Sequence, residues 1–274
     1  MNFKQRLATF LSTAELEQVK TSFDNVGSIA ILTIPDELFS KENEIAQALL
    51  ESEKRIKTVL RKEGGHEGEF RTQPLKHLAG EKTKETIHIE LGTRIKVNVE
   101  TVYFTPRLST ERERILQQIK DGEKILVMFS GCGIYPCVFA KKSKAAKIVG
   151  IEINPEGYKY ALENIKLNKI QNVELHLGDI HDIAPKLREK FDRIVMPLPA
   201  SAHEFLEDAF SVSKKGTIIH FYAFEEEKTM PQKTVELVLD SCKKNKVKAN
   251  MVSWAKCGPS KPRWYRICVD IQVE

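Results

Sequence analysis

The sequence predicts a doubly wound, Rossmann-like α/β domain preceded by a smaller α+β domain. From Lys124 onward, strand-like apolar runs alternate with helical segments, a pattern typical of βαβ units around a parallel sheet. Upstream, ETIHIELG and RIKVNVETVYF alternate polar and apolar residues on either side of Gly92 and Thr93, as the strands of a hairpin do. We therefore place the smaller domain at residues 1–113 and the doubly wound domain at residues 114–274.

In the smaller domain, the pattern predicts strands around one helix. GSIAILTIP, residues 27–35, is rich in β-branched residues and closes with proline, which is typical of a buried strand. From Glu37 to Lys57, apolar residues recur at helical spacing between charged ones. The following TVLRK is expected to begin another strand, and the hairpin completes the domain near Phe104.

In the larger domain, five predicted strands follow in order: KILVMF, KIVGIE, VELHLG, FDRIVM and TIIHFYAF. Helices separate them, including one that ends near Leu167 and one over residues 202–211. After a helix near residues 234–244, VKANMVSWAKCG and RWYRICVDIQV are expected to form an antiparallel pair at the sheet edge.

Composition narrows the class of protein. The 274 residues are 41% hydrophobic and 30% charged, which favours a folded globular chain over a disordered one. No apolar run approaches the roughly 18 residues of a spanning helix, and no secretory signal opens the chain, so we expect a cytoplasmic protein. The five cysteines form no CxxC pair and indicate neither a disulfide framework nor a zinc site. A net charge of +5 permits a polyanionic partner without requiring one.

The predicted strand ends carry residues that suit a nucleoside cofactor. Gly131 and Gly133 of FSGCGIYP allow a tight turn after the first strand. About twenty residues on, the second strand ends at Glu152, whose carboxylate is placed to accept both hydroxyls of a ribose, and GDIHD puts Asp179 after the third. The loop lacks the third glycine of the dinucleotide fingerprint, so S-adenosylmethionine fits better than NAD.

Glycines and acids also end strands for purely structural reasons, and the glycine pair alone decides little. The ordered set of glycine pair and two acids favours a cofactor site. The expected contacts are Phe129, Gly131, Gly133, Tyr135, Glu152, Ile153, Asp179, Ile180 and Pro197.

These segments resemble the class I methyltransferase domain of the archaeal and eukaryotic tRNA (guanine-37 N1) methyltransferase family. The resemblance lies in the GxG turn and in IEINPEGYKYALENIKLNK, GDIHD, FDRIVMPLPASAHEFLEDAF and GTIIHFYAFEEE. GSIAILTIPDEL, IKTVLRK, GEFRTQPLKHLAGE, TIHIELG and VYFTPRLSTERERI are similar to the family's preceding domain, in the same order. The resemblance implies S-adenosylmethionine as cofactor and tRNA as partner, with no metal and no membrane, and we favour a monomer.

The resemblance also implies catalytic residues. Guanine N1 carries a proton at neutral pH and needs a general base before it can be alkylated. By resemblance, Glu111 of PRLSTER is this base, Arg71 of GEFR is the cation over O6, and Arg107 and Arg112 orient the base or its phosphates. Without the resemblance, an ERER helix start is more often a solvated face, and Arg71 is equally a surface cation.

Two departures from the family pattern leave alternatives open. Val127 stands where the first strand usually ends in an acid, and Pro197 replaces the Asn of NLP or NPP, which removes an expected donor near the target base. One alternative is carbon methylation of the wyosine precursor at position 37. A second is aminocarboxypropyl transfer, although the wybutosine-pathway transferases generally lack the arginine present here as Arg107. A third is a non-catalytic tRNA-binding module.

Overall fold

Two units make up the structure, a computed structural model that describes residues 1–274. The first unit comprises Met1–Ile89 and Arg94–Pro106, and the second comprises Glu90–Thr93 and Arg107–Glu274. The boundary expected after residue 113 falls inside helix α4 (Ser109–Leu116), which lies wholly in the second unit. None of the helices combines the length and the apolar character needed to cross a membrane.

The first unit contains a four-stranded sheet with helices. Its helices are α1 (Phe3–Leu7), α2 (Thr13–Gln18) and α3 (Glu42–Ser52). The sheet strands are β1 (Asp24–Val26), β2 (Ile29–Leu32), β3 (Thr58–Lys62) and β4 (Leu75–Gly80), in that spatial order. Only the central pair, β2 and β3, is parallel. The predicted hairpin is present as β5 (Glu85–Glu90) and β6 (Thr93–Asn98).

The helix predicted over residues 37–57 is shorter in the structure. A 3-10 helix covers Asp36–Lys41, and the α-helical part ends at Ser52. The amide of Lys57 already donates to the carbonyl of Ser28, which brings the chain into the sheet beside β2. Residues 53–57 therefore form the return to the parallel strand β3, although their apolar spacing continues that of the helix.

The second unit is a seven-stranded doubly wound sheet, as predicted. Its strands are β7 (Lys124–Met128), β8 (Lys147–Glu152), β9 (Val173–Leu177), β10 (Phe191–Met196), β11 (Ser213–Glu226), β12 (Ala249–Lys261) and β13 (Trp264–Val273). Their spatial order is β12-β13-β11-β10-β7-β8-β9. Strands β7 to β11 run parallel, and β13 lies antiparallel between β11 and β12. The remaining helices are α5 (Ile134–Lys142), α6 (Pro155–Leu167), α7 (Ile180–Ile183), α8 (Leu206–Ser211) and α9 (Gln232–Lys244).

The strand order places a crevice beside β7. From β7 the chain continues outward to β8 and β9, and then returns to add β10 and β11 on the other side. Ligands of such sheets bind at the carboxyl ends of the strands, where the order reverses. Gly133 is the N-cap of α5, with a left-handed φ of 79°, and a Cβ there would lie 2.9 Å from the Cβ of Ala161. Glycine therefore allows α5 to start close to α6 at this edge.

Candidate functional site

The loop after β7 is tied to the end of β8 through Glu152. The Glu152 carboxylate accepts hydrogen bonds from the amide of Gly131 (2.6 Å) and from the amide of Asn154 (2.9 Å). Burial raises the pKa of Glu152, and these backbone donors partly oppose that effect. The result is a buried carboxylate at the carboxyl end of β8, held in one orientation by the backbone.

The remaining expected cofactor positions also follow the strand ends. Phe129 has a left-handed φ of 59°, and its ring packs edge-on against Phe205 with 4.9 Å between centroids. Asp179 caps α7, since its Oδ1 accepts from the amide of His181 at 2.8 Å. Ile180 is buried beside it. Ile153 follows β8, Pro197 follows β10, and both are half-buried.

A nucleoside cofactor fits this arrangement. A Cβ on Gly157 would lie 3.2 Å from Cγ of Glu152 and 3.4 Å from the carbonyl carbon of Gly131. Any larger residue at position 157 would therefore crowd the Glu152 side chain and the loop after β7. The acid on β8 suits ribose hydroxyls, and the apolar Ile180 suits a purine face. The residues that would hold S-adenosylmethionine are therefore present in the second unit.

Glu111 lies in the first turn of α4, with its side chain turned into the protein and only 4% exposed. Arg114 donates from Nε to Oε2 (2.7 Å) and from Nη2 to Oε1 (2.8 Å) of this carboxylate. The hydroxyl of Tyr222 also donates to Oε1, at 2.9 Å. Oε2 therefore accepts one of these hydrogen bonds and Oε1 accepts two.

Two buried phenols connect Glu111 to the cofactor side of the sheet. The hydroxyls of Tyr135 and Tyr222 are 3.1 Å apart, and because Tyr222 donates to Glu111, Tyr135 must donate to Tyr222. Tyr222 comes just after Phe221, the residue of β11 that pairs with the last residue of β10. Tyr135 lies in the first turn of α5, directly after the cofactor loop. Burial raises the pKa of both phenols, so both are neutral at physiological pH.

Arg112 is buried in an ion pair. Its Nε and Nη2 each donate to a different oxygen of Glu90 at 2.6 Å, and its guanidinium carbon lies 5.5 Å from the ring centre of Tyr135. Burial alone would lower the pKa of Arg112, but the bonds to Glu90 raise it above its ordinary value. These two donors hold the turn between β5 and β6, a contact that the sequence did not predict.

The other two predicted arginines differ in setting. Arg107 is exposed in the 3-10 turn before α4. Arg71 belongs to the first unit, where it is half-buried on a loop with a left-handed φ of 52°. Its guanidinium carbon lies 5.7 Å from the ring centre of Tyr103.

The residues that surround Glu111 were not predicted from the sequence. Arg114 lies in the ERER run, and Tyr222, His220 and Asp270 lie in runs predicted as strands; none of the four was predicted as a site residue. The available signal was a histidine and an aspartate inside the apolar runs TIIHFYAF and ICVDIQV, because polar groups in buried strands need partners.

Comparison with known proteins gives the family. A family model described as the TRM5/TYW2 methyltransferase domain matches residues 86–250. The chain belongs to this family. A second model, the TYW2 N-terminal domain, matches residues 3–83. The two models follow each other along the chain in the order that the sequence resemblance implied.

Individual relatives agree with the match. The tRNA (guanine(37)-N(1))-methyltransferase Trm5b of Pyrococcus abyssi is 41% identical over 100% of this chain and 78% of its own length. A structure of aTrm5 in complex with tRNALeu has a TM-score of 0.87 at 30% identity, covering 100% of this chain and 78% of that one. A structure of Methanocaldococcus jannaschii TYW2 in complex with AdoMet has a TM-score of 0.72 at 27% identity, covering 92% of this chain and 99% of that one.

The two departures from the family pattern have clear positions in the fold. Val127 is fully buried in the central strand β7, paired with Gly150 and Val195. An acid at this position would need a polar partner that these neighbours' side chains do not offer. Pro197 is the first residue after β10.

Proposed function

We propose that this protein transfers the methyl group of S-adenosylmethionine to N1 of guanosine 37 in tRNA, next to the anticodon. One observation carries the proposal: the inward-turned carboxylate of Glu111 lies beside Tyr222, at the edge of the sheet whose cofactor loop is held by Glu152. The 41% identity to Trm5b and the tRNA-bound aTrm5 structure support the choice of substrate.

The chain's residues divide the work of binding the cofactor. Glu152 would accept the ribose hydroxyls, and Asp179 and Ile180 would border the adenine. The loop with Gly131 and Gly133 would border the remaining part of the cofactor. When bound, S-adenosylmethionine supplies a methyl group that its sulfonium already activates. The protein then contributes alignment and proton removal.

Glu111 would act as the general base. Arg114, Tyr222 and the thiol of Cys257 hydrogen-bond to its carboxylate and would hold it in place to receive the N1 proton. Negative charge that develops on O6 as N1 loses its proton would be stabilised by the guanidinium of Arg71. The exposed Arg107 would orient the base or its phosphates, whereas Arg112 would act indirectly by fixing Glu90.

The test is the Glu111→Gln variant in single-turnover transfer of a tritiated methyl group to unmodified tRNA. Removing a general base should lower the rate by about 10²–10⁴-fold, with the S-adenosylmethionine Kd within about twofold of the wild-type value. Glu113→Gln is the matched control, because Glu113 is an exposed carboxylate on the same helix, and it should leave the rate unchanged. An unchanged rate for Glu111→Gln would refute the role of this residue as base.

Pro197 favours a second candidate within the family. Without an asparagine amide after β10, the target base loses one donor, and the wyosine precursor at position 37 presents different hydrogen-bonding groups. Mass spectrometry of the product nucleoside distinguishes N1 methylation, carbon methylation and aminocarboxypropyl transfer. A non-catalytic tRNA-binding module would instead bind tRNA with a steep salt dependence and show no cofactor affinity.

A further inference from the structure

One guanidinium serves two buried carboxylates in the second unit. Besides Glu111, Arg114 contacts Asp270 on β13, with 2.6 Å from Nη1 to Oδ2 and 3.0 Å from Nη2 to Oδ1. The Asp270 side chain is 1% exposed. Nη2 donates to both acids at once. The single positive charge of Arg114 is therefore divided between two negative charges.

Asp270 is held ionised by further donors. Nδ1 of His220 lies 2.6 Å from Oδ1, and the hydroxyl of Ser253 donates to Oδ2 at 2.6 Å. Burial by itself would raise the pKa of Asp270, but the hydrogen bonds from His220 and Arg114 outweigh burial and bring it below the ordinary aspartate value. Asp270 is thus a permanent negative charge at physiological pH.

The neighbours of His220 determine which of its ring nitrogens carries the hydrogen. Nε2 of His220 faces Nη1 of Arg193 at 2.7 Å, and a guanidinium has no acceptor, so Nε2 carries the lone pair. Nδ1 must then carry the hydrogen that is donated to Asp270. Burial lowers the pKa of His220, which keeps the ring neutral. His220 therefore orients Asp270 and does not relay a proton to it.

The groups that face Glu111 come from five elements. Helix α4 contributes Arg114 and, next to it, Arg112, which is directed to Glu90. Tyr135 on α5 and Tyr222 on β11 are the phenols. The last two strands contribute Cys257 (β12), Cys268 and Asp270 (β13). Burial raises the pKa of both thiols, so both are neutral. The charge on Glu111 is therefore balanced chiefly by Arg114, against the opposing charge of Asp270.

We propose that Asp270 is a positioning residue for Glu111, which it controls by sharing the guanidinium of Arg114. The inference rests on the proposed role of Glu111 as the base. A carboxylate that is the only partner of a guanidinium is firmly held, but the full positive charge beside it makes it a weak proton acceptor. Because Asp270 takes part of that charge, Arg114 and Tyr222 hold Glu111 in place while the guanidinium is not committed to Glu111 alone.

Asp270→Asn tests the proposal, because it removes the charge and keeps the shape. Arg114 would then neutralise Glu111 alone, and the acidic limb of the pH–rate profile for single-turnover methyl transfer should move down by about one pH unit. The plateau rate should fall several-fold, because a weaker base is less effective. Ser253→Ala is the control: it removes one donor to Asp270 but no charge, so the acidic limb should stay in place.

Arg114→Gln provides the opposite perturbation. Without the guanidinium, Glu111 faces Asp270 unshielded, and the acidic limb should move to higher pH. Opposite shifts in the two variants are expected if the charges of Asp270 and Arg114 both act on Glu111, whereas a purely structural role would lower the rate without moving the limb. Should Asp270→Asn not fold, Asp270→Ser removes the same charge with a smaller side chain, and an acidic limb that does not move down in that variant overturns the proposal.

The outcomes separate this inference from the proposed function. Full activity of Glu111→Gln would refute the role of Glu111 as the base, and the inference about Asp270 would fall with it. Loss of activity in Glu111→Gln together with unmoved limbs in the folded Asp270 and Arg114 variants would leave the base in place and overturn only the role of Asp270.

Discussion

Glu152 accepts a 2.6 Å hydrogen bond from the backbone amide of Gly131, which ties the end of β8 to the loop after β7. The same carboxylate is the group that would receive the ribose hydroxyls of the cofactor. If it does, one side chain would both shape this loop and contact the cofactor, and its loss should weaken cofactor binding in two ways.

Glu152→Gln should weaken S-adenosylmethionine binding by about ten- to a hundredfold, because hydrogen bonds to a charged group contribute about 1.5–3 kcal/mol and the amide presents a donor to the donors around it. Isothermal titration calorimetry measures the Kd directly. Glu156→Gln changes a half-exposed carboxylate at the start of α6 and should leave the Kd within about twofold. Equal Kd values for Glu152→Gln and wild type would show that Glu152 is not the ribose ligand.

Gly80 should tolerate no side chain. It has a φ of 83°, and a Cβ there would lie 2.0 Å from the carbonyl oxygen of Lys57, in the register between β3 and β4. Gly80→Ala should lower the free energy of unfolding by about 3 kcal/mol or more, since steric overlap adds to the left-handed strain of about 1–3 kcal/mol. Gly68→Ala is the control, with a φ of 67° and nothing within 4 Å, and should cost only the strain. Urea denaturation measures the free energy of unfolding of both variants. Equal losses in the two would contradict the predicted steric overlap at Gly80.

Arg112 and Glu90 should be strongly coupled in stability. Arg112→Met would remove the guanidinium that donates to both oxygens of buried Glu90 and should cost about 3–5 kcal/mol. Adding Glu90→Gln removes the stranded charge and should recover much of that loss. Arg55→Met, at an exposed position, should change the free energy of unfolding by no more than about 0.5 kcal/mol. Additive effects of the two substitutions in denaturant unfolding would show that the pair is not coupled.

The sequence was sufficient to predict the sheet and to place Glu152 and Asp179 at its carboxyl edge. Strand and helix patterns are local, and the carboxyl ends of parallel strands meet at one edge, so the order of the strands along the chain was enough to place Glu152 and Asp179 together. The final antiparallel pair was likewise recognised from two adjacent strand-like runs, β12 and β13.

The surroundings of Glu111 could not be predicted in this way. Arg114 and Asp270 are 156 residues apart, and their contact depends on β13 inserting beside β11, which no local pattern specifies. The ERER run is also ambiguous, because the same charged residue types occur at exposed and at buried positions of a helix. Only the packing of α4 shows that Glu111 and Arg112 turn inward while Glu113 is exposed.

His220 should make stability depend on pH below neutrality. Its pKa is lowered in the folded protein because the ring is buried beside Arg193, whereas the unfolded chain has the ordinary value near 6.5. Below pH 6.5 the unfolded state therefore binds more protons than the folded state, and the free energy of unfolding falls as the pH falls. Above that value the contribution of His220 is complete and constant.

The expected slope is at most about 1.4 kcal/mol per pH unit, and it should be visible between pH 6.5 and 5. Asp270 also has a lowered pKa, but its stabilisation is lost only below about pH 4, where the unfolded aspartate binds its proton, so the two windows do not overlap. His220→Asn keeps an amide that donates to Asp270 and has no titrating group, so urea denaturation at each pH should show a flatter profile than wild type. His203→Asn, at an exposed position, should retain the wild-type slope. If His220→Asn retained it as well, the acid sensitivity of the fold would have to come from another group.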